Sequence, residues 1–251
     1  MRHVERSLTA RRIAERALTF SQWALNGVAK RALPDRRPRR FSNLVLQKYL
    51  AHMSGHIVNV SGWRDSDKEG GRYREYYASA DRYVLSRIAG EGGMDSEIPE
   101  DSEAVYLDLN QPLDPQLVGQ FDVVFCHTVL EHVFDAATAL RNLALLSRDV
   151  VAVVVPFSQS VHYTDSYLDY HRFAPFALKE FFEREGFEVL LCDHNAQSFF
   201  PVYVTFIASR MPNNHRTAFA DAPLLFDVII APGRWGRVDT TGRAHLVDPS
   251  I

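Results

Sequence analysis

The chain has 251 residues, a net charge of −3 at neutral pH, and 46% hydrophobic and 24% charged residues. That balance is expected of a globular α/β protein large enough for one substantial core plus extensions. No apolar run approaches the roughly 18 residues a spanning helix needs, and no apolar segment follows the basic N-terminus as it would in a secretory signal. A cytoplasmic location is therefore expected, and Cys126 and Cys192, both in apolar strand-like runs, are expected to be reduced core residues rather than disulfides or zinc ligands.

The charge is unevenly spread. Residues 1–40 carry 11 Lys and Arg against 3 Asp and Glu, and the remaining residues carry 17 against 28. Ile13, Ala17, Phe20, Ala24 and Val28 share one face of a predicted helix over 11–33, which Pro34 stops; residues 35–40 read as a basic linker. Residues 1–40 are thus set apart as a basic helical extension that either packs on the domain or rests on an anionic membrane surface or a protein partner. Nucleic acid is not expected as a partner. The arginines are not interleaved with stacking aromatics, and the acidic remainder would repel phosphate.

Residues 41–55 read as a short helix leading into the main domain, 41–209. His56 to Val60 is a first strand, ended by Ser61-Gly62-Trp63. Tyr83 to Ile88 is a second and Val105 to Leu109 a third, with a loop rich in glycine and acids at 89–103 between them. The connection after Asn110 is too short for a full helix. Phe121 to Cys126 is a fourth strand, and Leu130, Val133, Ala137, Leu140 and Ala144 then recur at helical spacing, predicting a helix of roughly four turns from Leu130. Val150 to Val155, closed by Pro156, is the fifth strand. Strand, helix, strand without a hairpin implies parallel pairing, and in such sheets ligands bind at the carboxyl ends of the strands.

The segment after Pro156 is dense in His, Tyr and Asp, as functional loops often are. A helix starts near Pro175 and ends at Gly186. Residues 187–192 and 202–208 are two more strands, of which the last should pair antiparallel. In the C-terminal extension, 210–251, the apolar run 224–230 is an added strand or a tail against the domain.

Histidine suits proton removal from a hydroxyl near neutral pH. His127 and His162 stand at the ends of strands expected to be neighbours, with Asp165 placed to orient a histidine. Tyr163, Tyr167, Tyr170 and His171 are candidates for contact with a polyhydroxylated substrate. Glu131 and His132 are expected at a helix start, where an acid is favoured by the dipole. No metal is expected, because His127, Glu131, His162 and His171 lack tight ligand spacing such as His-Glu-x-x-His.

Asp122-Val-Val-(x)4-Val-Leu-Glu-His-Val133 resembles the fourth-strand segment of class I S-adenosylmethionine-dependent methyltransferases. Arg172-Phe-(x)-Pro-(x)2-Leu-(x)7-Gly-Phe187 resembles the segment after their fifth strand, and the resemblance spans roughly residues 55–209. It implies a Rossmann-like α/β sheet, mostly parallel with an antiparallel last strand and helices on both faces. It implies S-adenosylmethionine as cofactor, held near Ser61, Gly62, Trp63, Arg87, Asp108, Leu109, Cys126 and His127. Two positions depart from the family. Only Gly62 remains of the glycine-rich loop, and Arg87 stands where the family keeps an acid for the ribose. Val60-Ser-Gly-Trp-(x)-Asp65, Asp67-Lys-Glu-Gly-Gly71 and His162-Tyr-Thr-Asp-Ser-Tyr167 are similar to methyltransferase-like proteins of bacterial polysaccharide assembly, which implies a sugar or other small-molecule acceptor. The departures leave two alternatives: a donor-free binding or scaffold protein of the same fold, or an enzyme using an anionic ligand at Arg64 and Arg87.

Overall fold

The computed structural model describes residues 31–60, 63–88, 102–165, 167–195 and 201–227, with a few helical positions between 20 and 28 and two short strands beyond 235. Its centre is one sheet of seven strands: β1 (Ser54–Val60), β2 (Ser79–Arg87), β3 (Glu103–Tyr106), β4 (Phe121–His127), β5 (Ser147–Ser158), β6 (Glu188–His194) and β7 (Val202–Ser209). The order across the sheet is β3-β2-β1-β4-β5-β7-β6. Neighbours from β3 to β5 pair in parallel, and β7 runs antiparallel to both β5 and β6. The expected fold is thus observed.

Both faces of the sheet are covered, so the central strands are apolar on both sides. In β4, Val124 and Cys126 pack toward α2 (Ala136–Leu146) and α3 (Pro175–Arg184), beside Leu143, Leu178 and Phe182. Val123 and Phe125 point the other way, toward α1 (Pro38–Leu50), beside Leu46, Leu50 and Tyr73. Helix α1 begins inside the stretch read as a basic linker: Pro38 occupies its first turn, where a missing N–H costs nothing.

Helix α2 starts six residues later than its spacing predicted. Leu130–His132 form a 3₁₀ turn, and Asp135 caps α2 by accepting from Thr138 N at 3.0 Å. Leu130 and Val133 still enter the same core as α2, so their spacing mimicked a helix. Strand β5 runs on through Pro156, which lies past the last β4 pair, His127 with Val154, so its absent N–H breaks no bond to β4. Helix α3 matches its prediction, closed by Gly186 at a φ of +86°.

The β1–β2 connection contains 3₁₀ turns at Trp63–Asp65 and Tyr73–Tyr76, joined by the bridge between Ser66 and Arg72. Buried Asp65 accepts from Asn59 Nδ2 at 3.1 Å and Tyr83 OH at 2.7 Å, tying the loop to β1 and β2. Past β7, Cys192 and Leu224 form a single bridge beside β6, so the described part of the run at 224–230 adds a bridge rather than a strand. Residues 228–230 lie outside the described residues, as does most of the helix expected over 11–33. Phe20 (68% exposed), Ala24 and Val28 (61%) are helical and turned to solvent. Both cysteines are free and buried.

Asp149 fastens the segment after β7. Its carboxylate accepts from Met211 N at 3.0 Å and His215 Nε2 at 2.7 Å, and from the Ser209 hydroxyl. Burial pushes this carboxyl up, but the hydrogen bonds from His215, Ser209 and Met211 outweigh it and hold it below the ordinary range. A depressed carboxylate stabilises the fold above its unfolded pKa, and that stability is lost as pH falls below the ordinary carboxylate range. Asp149→Asn should cost about 1–3 kcal/mol at pH 7. The difference from the parent should shrink in acid, as urea unfolding at the two pH values would show.

Candidate functional site

The site forms where β4 and β5 end side by side. Thr128 N donates to Val154 O at 2.8 Å, continuing the ladder one residue past His127. Thr128 itself sits at a φ of +51°, a conformation rare for a β-branched residue. The chain then turns through Leu130–His132. Leu130 enters the core, and Glu131, next to it, is fully buried (0% exposed). The loop after β5 folds back onto this turn: Tyr170 N and His171 N both donate to Glu131 O, at 2.7 and 3.3 Å.

Arg172 staples that loop. Its guanidinium reaches Gln159 O at 3.1 Å, Ser160 O at 3.2 Å and Asp169 Oδ2 at 2.8 Å. The Arg172 hydrogen bonds hold the Asp169 carboxyl far below its usual range. Asp169 Oδ2 also accepts from His162 N at 2.8 Å and lies 2.9 Å from His162 Nδ1. The acid beside the His162 ring is therefore Asp169, whereas Asp165, expected to orient a histidine, is solvent-exposed. Both acids were visible in the loop, and the i,i+3 spacing of Asp169 and Arg172 was the signal that distinguished them.

Three side chains converge at the junction. His132 and His162 lie edge to face with centroids 4.9 Å apart, and Tyr167 packs on His132 at 4.4 Å. His132 Nδ1 donates to Leu168 O at 2.7 Å, which leaves Nε2 as the lone-pair nitrogen, 3.8 Å from Glu131 Oε1. Burial lowers the pKa of His132 and pushes that of Glu131 up to about 7. Among the described residues neither Glu131 oxygen has a hydrogen-bond partner. Sequence reasoning assigned Glu131 and His132 to a helix terminus; their convergence depends on the 3₁₀ turn.

His127 stands apart from this cluster. Its ring turns to the α1 face, 8% exposed, against Tyr73. Ser42 Oγ donates to Arg39 O at 2.9 Å, so at the 3.1 Å contact His127 Nε2 is the donor to Ser42; Nδ1 then accepts from Arg39 Nη1 at 3.3 Å. Burial and the adjacent Arg39 hold this imidazole neutral, its pKa well below the usual value. Arg39 also donates to Tyr73 OH and Thr128 Oγ1, both at 3.1 Å, so it pins the strained turn from the α1 side. Arg39 was read only as part of a basic stretch, and nothing in its sequence neighbourhood marks it otherwise.

Of the remaining expected residues, Tyr163 is 71% exposed, and Tyr170 packs edge-on against Phe134 at 5.3 Å. His171 commits Nε2 to Phe134 O at 3.0 Å. Nearer the β3 edge Arg87 closes β2 and lies 4.5 Å over the Tyr106 ring, with its Nε buried and, among the described residues, without a partner. Asp108 Oδ1 accepts from Asn110 N at 2.9 Å in a local turn. Leu109 and Cys126 are buried in the core, so any ligand meets them through their main chain. Ser61 and Gly62 lie outside the described residues, as does the Trp63 side chain.

No protein-family model matches this sequence, and no curated sequence does. Solved structures do. A chain of the complex between the Haloferax volcanii Trm112 methyltransferase activator and its assigned methyltransferase aligns over 75% of this chain and 96% of its own, with 12% identity and a TM-score of 0.51. A Burkholderia thailandensis 1,6-didemethyltoxoflavin-N1-methyltransferase aligns over 79% and 89% with 15% identity and a TM-score of 0.49. The magnesium protoporphyrin IX methyltransferase of Synechocystis aligns over 68% and 83% with 16% identity and a TM-score of 0.48. The Haloferax likeness shows that the chain has the fold of that assigned methyltransferase.

Arg39→Met keeps the aliphatic stem but strands three polar partners. It should cost about 2–4 kcal/mol in urea unfolding. NMR titration should show the His127 pKa rising from its depressed position. Unchanged stability together with an unmoved His127 would mean that α1 does not hold the turn.

Proposed function

We propose that the chain is an S-adenosylmethionine-dependent O-methyltransferase acting on a sugar hydroxyl of a glycan or glycolipid. The observation that carries this reading is the Asp169–His162 pair, set beside His132 and Glu131 where β4 and β5 end. The shared fold and the sequence resemblance over 121–190 support it.

The residues at the β1–β3 edge fit the donor on one observation. Arg87 buries an Nε–H without an acceptor, at the strand end where the family keeps its ribose acid. A ribose hydroxyl accepts from an N–H as readily as it donates to a carboxylate. Arg87 would hold the ribose, Asp108 the adenine amino group, and the turn Ser61-Gly62-Trp63 the donor's amino-acid end through close backbone approach. Leu109, Cys126 and His127 would line the site by main chain. Bound S-adenosylmethionine supplies a methyl group on a sulfonium, a good leaving group, so the protein's task is mainly alignment.

At the acceptor end, His162 Nδ1 lies 2.9 Å from the Asp169 carboxylate; with the ring proton held on that side, Nε2 takes the hydroxyl proton and Asp169 then stabilises the imidazolium. Tyr163, Tyr167 and Tyr170, exposed around the same loop, offer apolar ring faces and phenol hydroxyls to a sugar. His127, neutral and committed to Arg39 and Ser42, positions the β4 end rather than moving a proton. Arg87 in place of an acid favours a second reading, a binding protein of this fold without turnover.

Calorimetry separates the two. S-adenosylmethionine or its demethylated product should bind in the low-to-mid micromolar range, roughly −7 to −8 kcal/mol. No heat with either ligand at high concentration would leave the binding-protein reading. His162→Ala should lower release of the demethylated product about 100-fold or more with donor affinity unchanged; full turnover in that variant would dismiss His162.

The solvent-facing Phe20 and Val28 within the basic extension support contact between residues 1–33 and an anionic membrane surface. The full chain should co-sediment with phosphatidylglycerol vesicles in low salt, and a chain lacking residues 1–33 should not. Equal sedimentation of both would remove this contact. Among the described residues no helix is long and apolar enough to cross a membrane.

A further inference from the structure

We propose that Glu131, His132 and His162 bind one divalent transition-metal ion of the zinc, iron(II) or manganese(II) kind. One ligand atom from each, a carboxylate oxygen and two imidazole nitrogens, lies within 4.8 Å of the others. One pair, His132 Nε2 and Glu131 Oε1, is 3.8 Å apart. Metal–ligand bonds of about 2.0–2.2 Å need slightly closer spacing. His162 supplies the adjustment, since its side chain is 36% exposed on a loop.

Three independent features favour an ion over a structural cluster. The first is Glu131. Its side chain is 1% exposed and neither oxygen has a partner, whereas buried carboxylates are otherwise paired, hydrogen-bonded or bound to metal. The second is tautomer control. His132 spends Nδ1–H on Leu168 O and so keeps a lone pair on Nε2, and His162 Nδ1 lies 2.9 Å from the Asp169 carboxylate and 3.3 Å from Gln159 Nε2. An outer carbonyl or carboxylate holding the far nitrogen is how metal-ligating histidines are commonly oriented. The third is the donor set. Two imidazoles with one carboxylate suit zinc, iron or manganese, whereas magnesium prefers oxygen ligands alone. The histidines considered with Glu131 and His162 from the sequence, His127 and His171, are placed elsewhere and do not join this cluster.

The proposal deepens the reading of the acceptor site and rests on it only for what the ion would hold. Three protein ligands leave a coordination position open to an acceptor oxygen. With the ion bound, His162 is a ligand rather than a free base.

The test uses the full-length, tag-free protein, stripped with EDTA and titrated by calorimetry with Zn²⁺ and Mn²⁺, with Mg²⁺ for contrast. One equivalent of Zn²⁺ should bind tightly and Mg²⁺ weakly. His162→Ala and Glu131→Gln should each weaken Zn²⁺ at least about 10-fold, and Asp169→Asn, which alters the outer partner of His162 and its bond to Arg172, about 10-fold. Circular dichroism confirms that each variant is folded; His162→Ala lies on an open loop and keeps the comparison valid if Glu131→Gln does not fold. Absence of stoichiometric Zn²⁺ binding, or an affinity unchanged in His162→Ala, overturns the proposal. Donor calorimetry on the stripped protein keeps the two readings apart. Donor binding without Zn²⁺ binding defeats the metal site alone, and Zn²⁺ binding without donor binding defeats the methyltransferase reading alone.

Discussion

Glu131 places a carboxylate under the loop that follows β5, and among the described residues neither oxygen has a hydrogen-bond partner. Removing a charge from water without a partner costs several kcal/mol, and a group in that position escapes the cost by taking a proton or meeting a cation. Its pKa of about 7 is the first escape. The loop leaves room for the second. Tyr170 N and His171 N close on the Glu131 main chain, Arg172 fixes the loop ends, and the imidazoles of His132 and His162 arrive beside the carboxylate.

On the opposite face the requirement is reversed. Arg39 brings a cation to His127, Tyr73 and Thr128, and these three hydrogen bonds are to neutral acceptors. A histidine that must accept from a guanidinium stays neutral, so the pair fixes geometry rather than titrating. The strained Thr128 turn is therefore held from the α1 side by Arg39 and from the β5 side by Val154 O. Three residues further, the same turn aims Glu131 at the loop. Two histidines close in sequence, His127 and His132, thus end in different roles because a single left-handed residue between them switches the face of the sheet they serve.

How much of this was legible follows the range of the interactions. The strands from β1 to β7, helix α3 and the antiparallel final pairing were readable because apolar period and proline and glycine positions are local signals. The start of α2 was misplaced because Leu130 and Val133 serve the same core as the helix without belonging to it, and the Asp135 cap competes only weakly with that pattern on paper. The loop carrying His162 was read as candidate functional ground, with Asp165 preferred to Asp169, whose place beside the His162 ring depends on how the loop doubles back. Arg39 was invisible, since its role exists only once α1 crosses the ends of the strands.

The orphaned polar atoms give a further argument about where ligands belong. Six buried side-chain atoms among the described residues lack partners, and four of them belong to Arg87, Glu131 and Gln159. Arg87 ends β2, Glu131 follows β4 by four residues, and Gln159 follows β5 by one. Folded chains leave few such groups unsatisfied, and the exceptions call for an explanation. Their gathering at one rim of a parallel sheet, a donor N–H toward β2 and acceptor oxygens toward β4 and β5, is what two separate ligands of opposite polarity would require. The β2 end wants an acceptor, such as a ribose oxygen, and the β4–β5 end wants a proton donor or a cation. The rim that the parallel topology assigns to binding is thus the one this sequence leaves chemically incomplete.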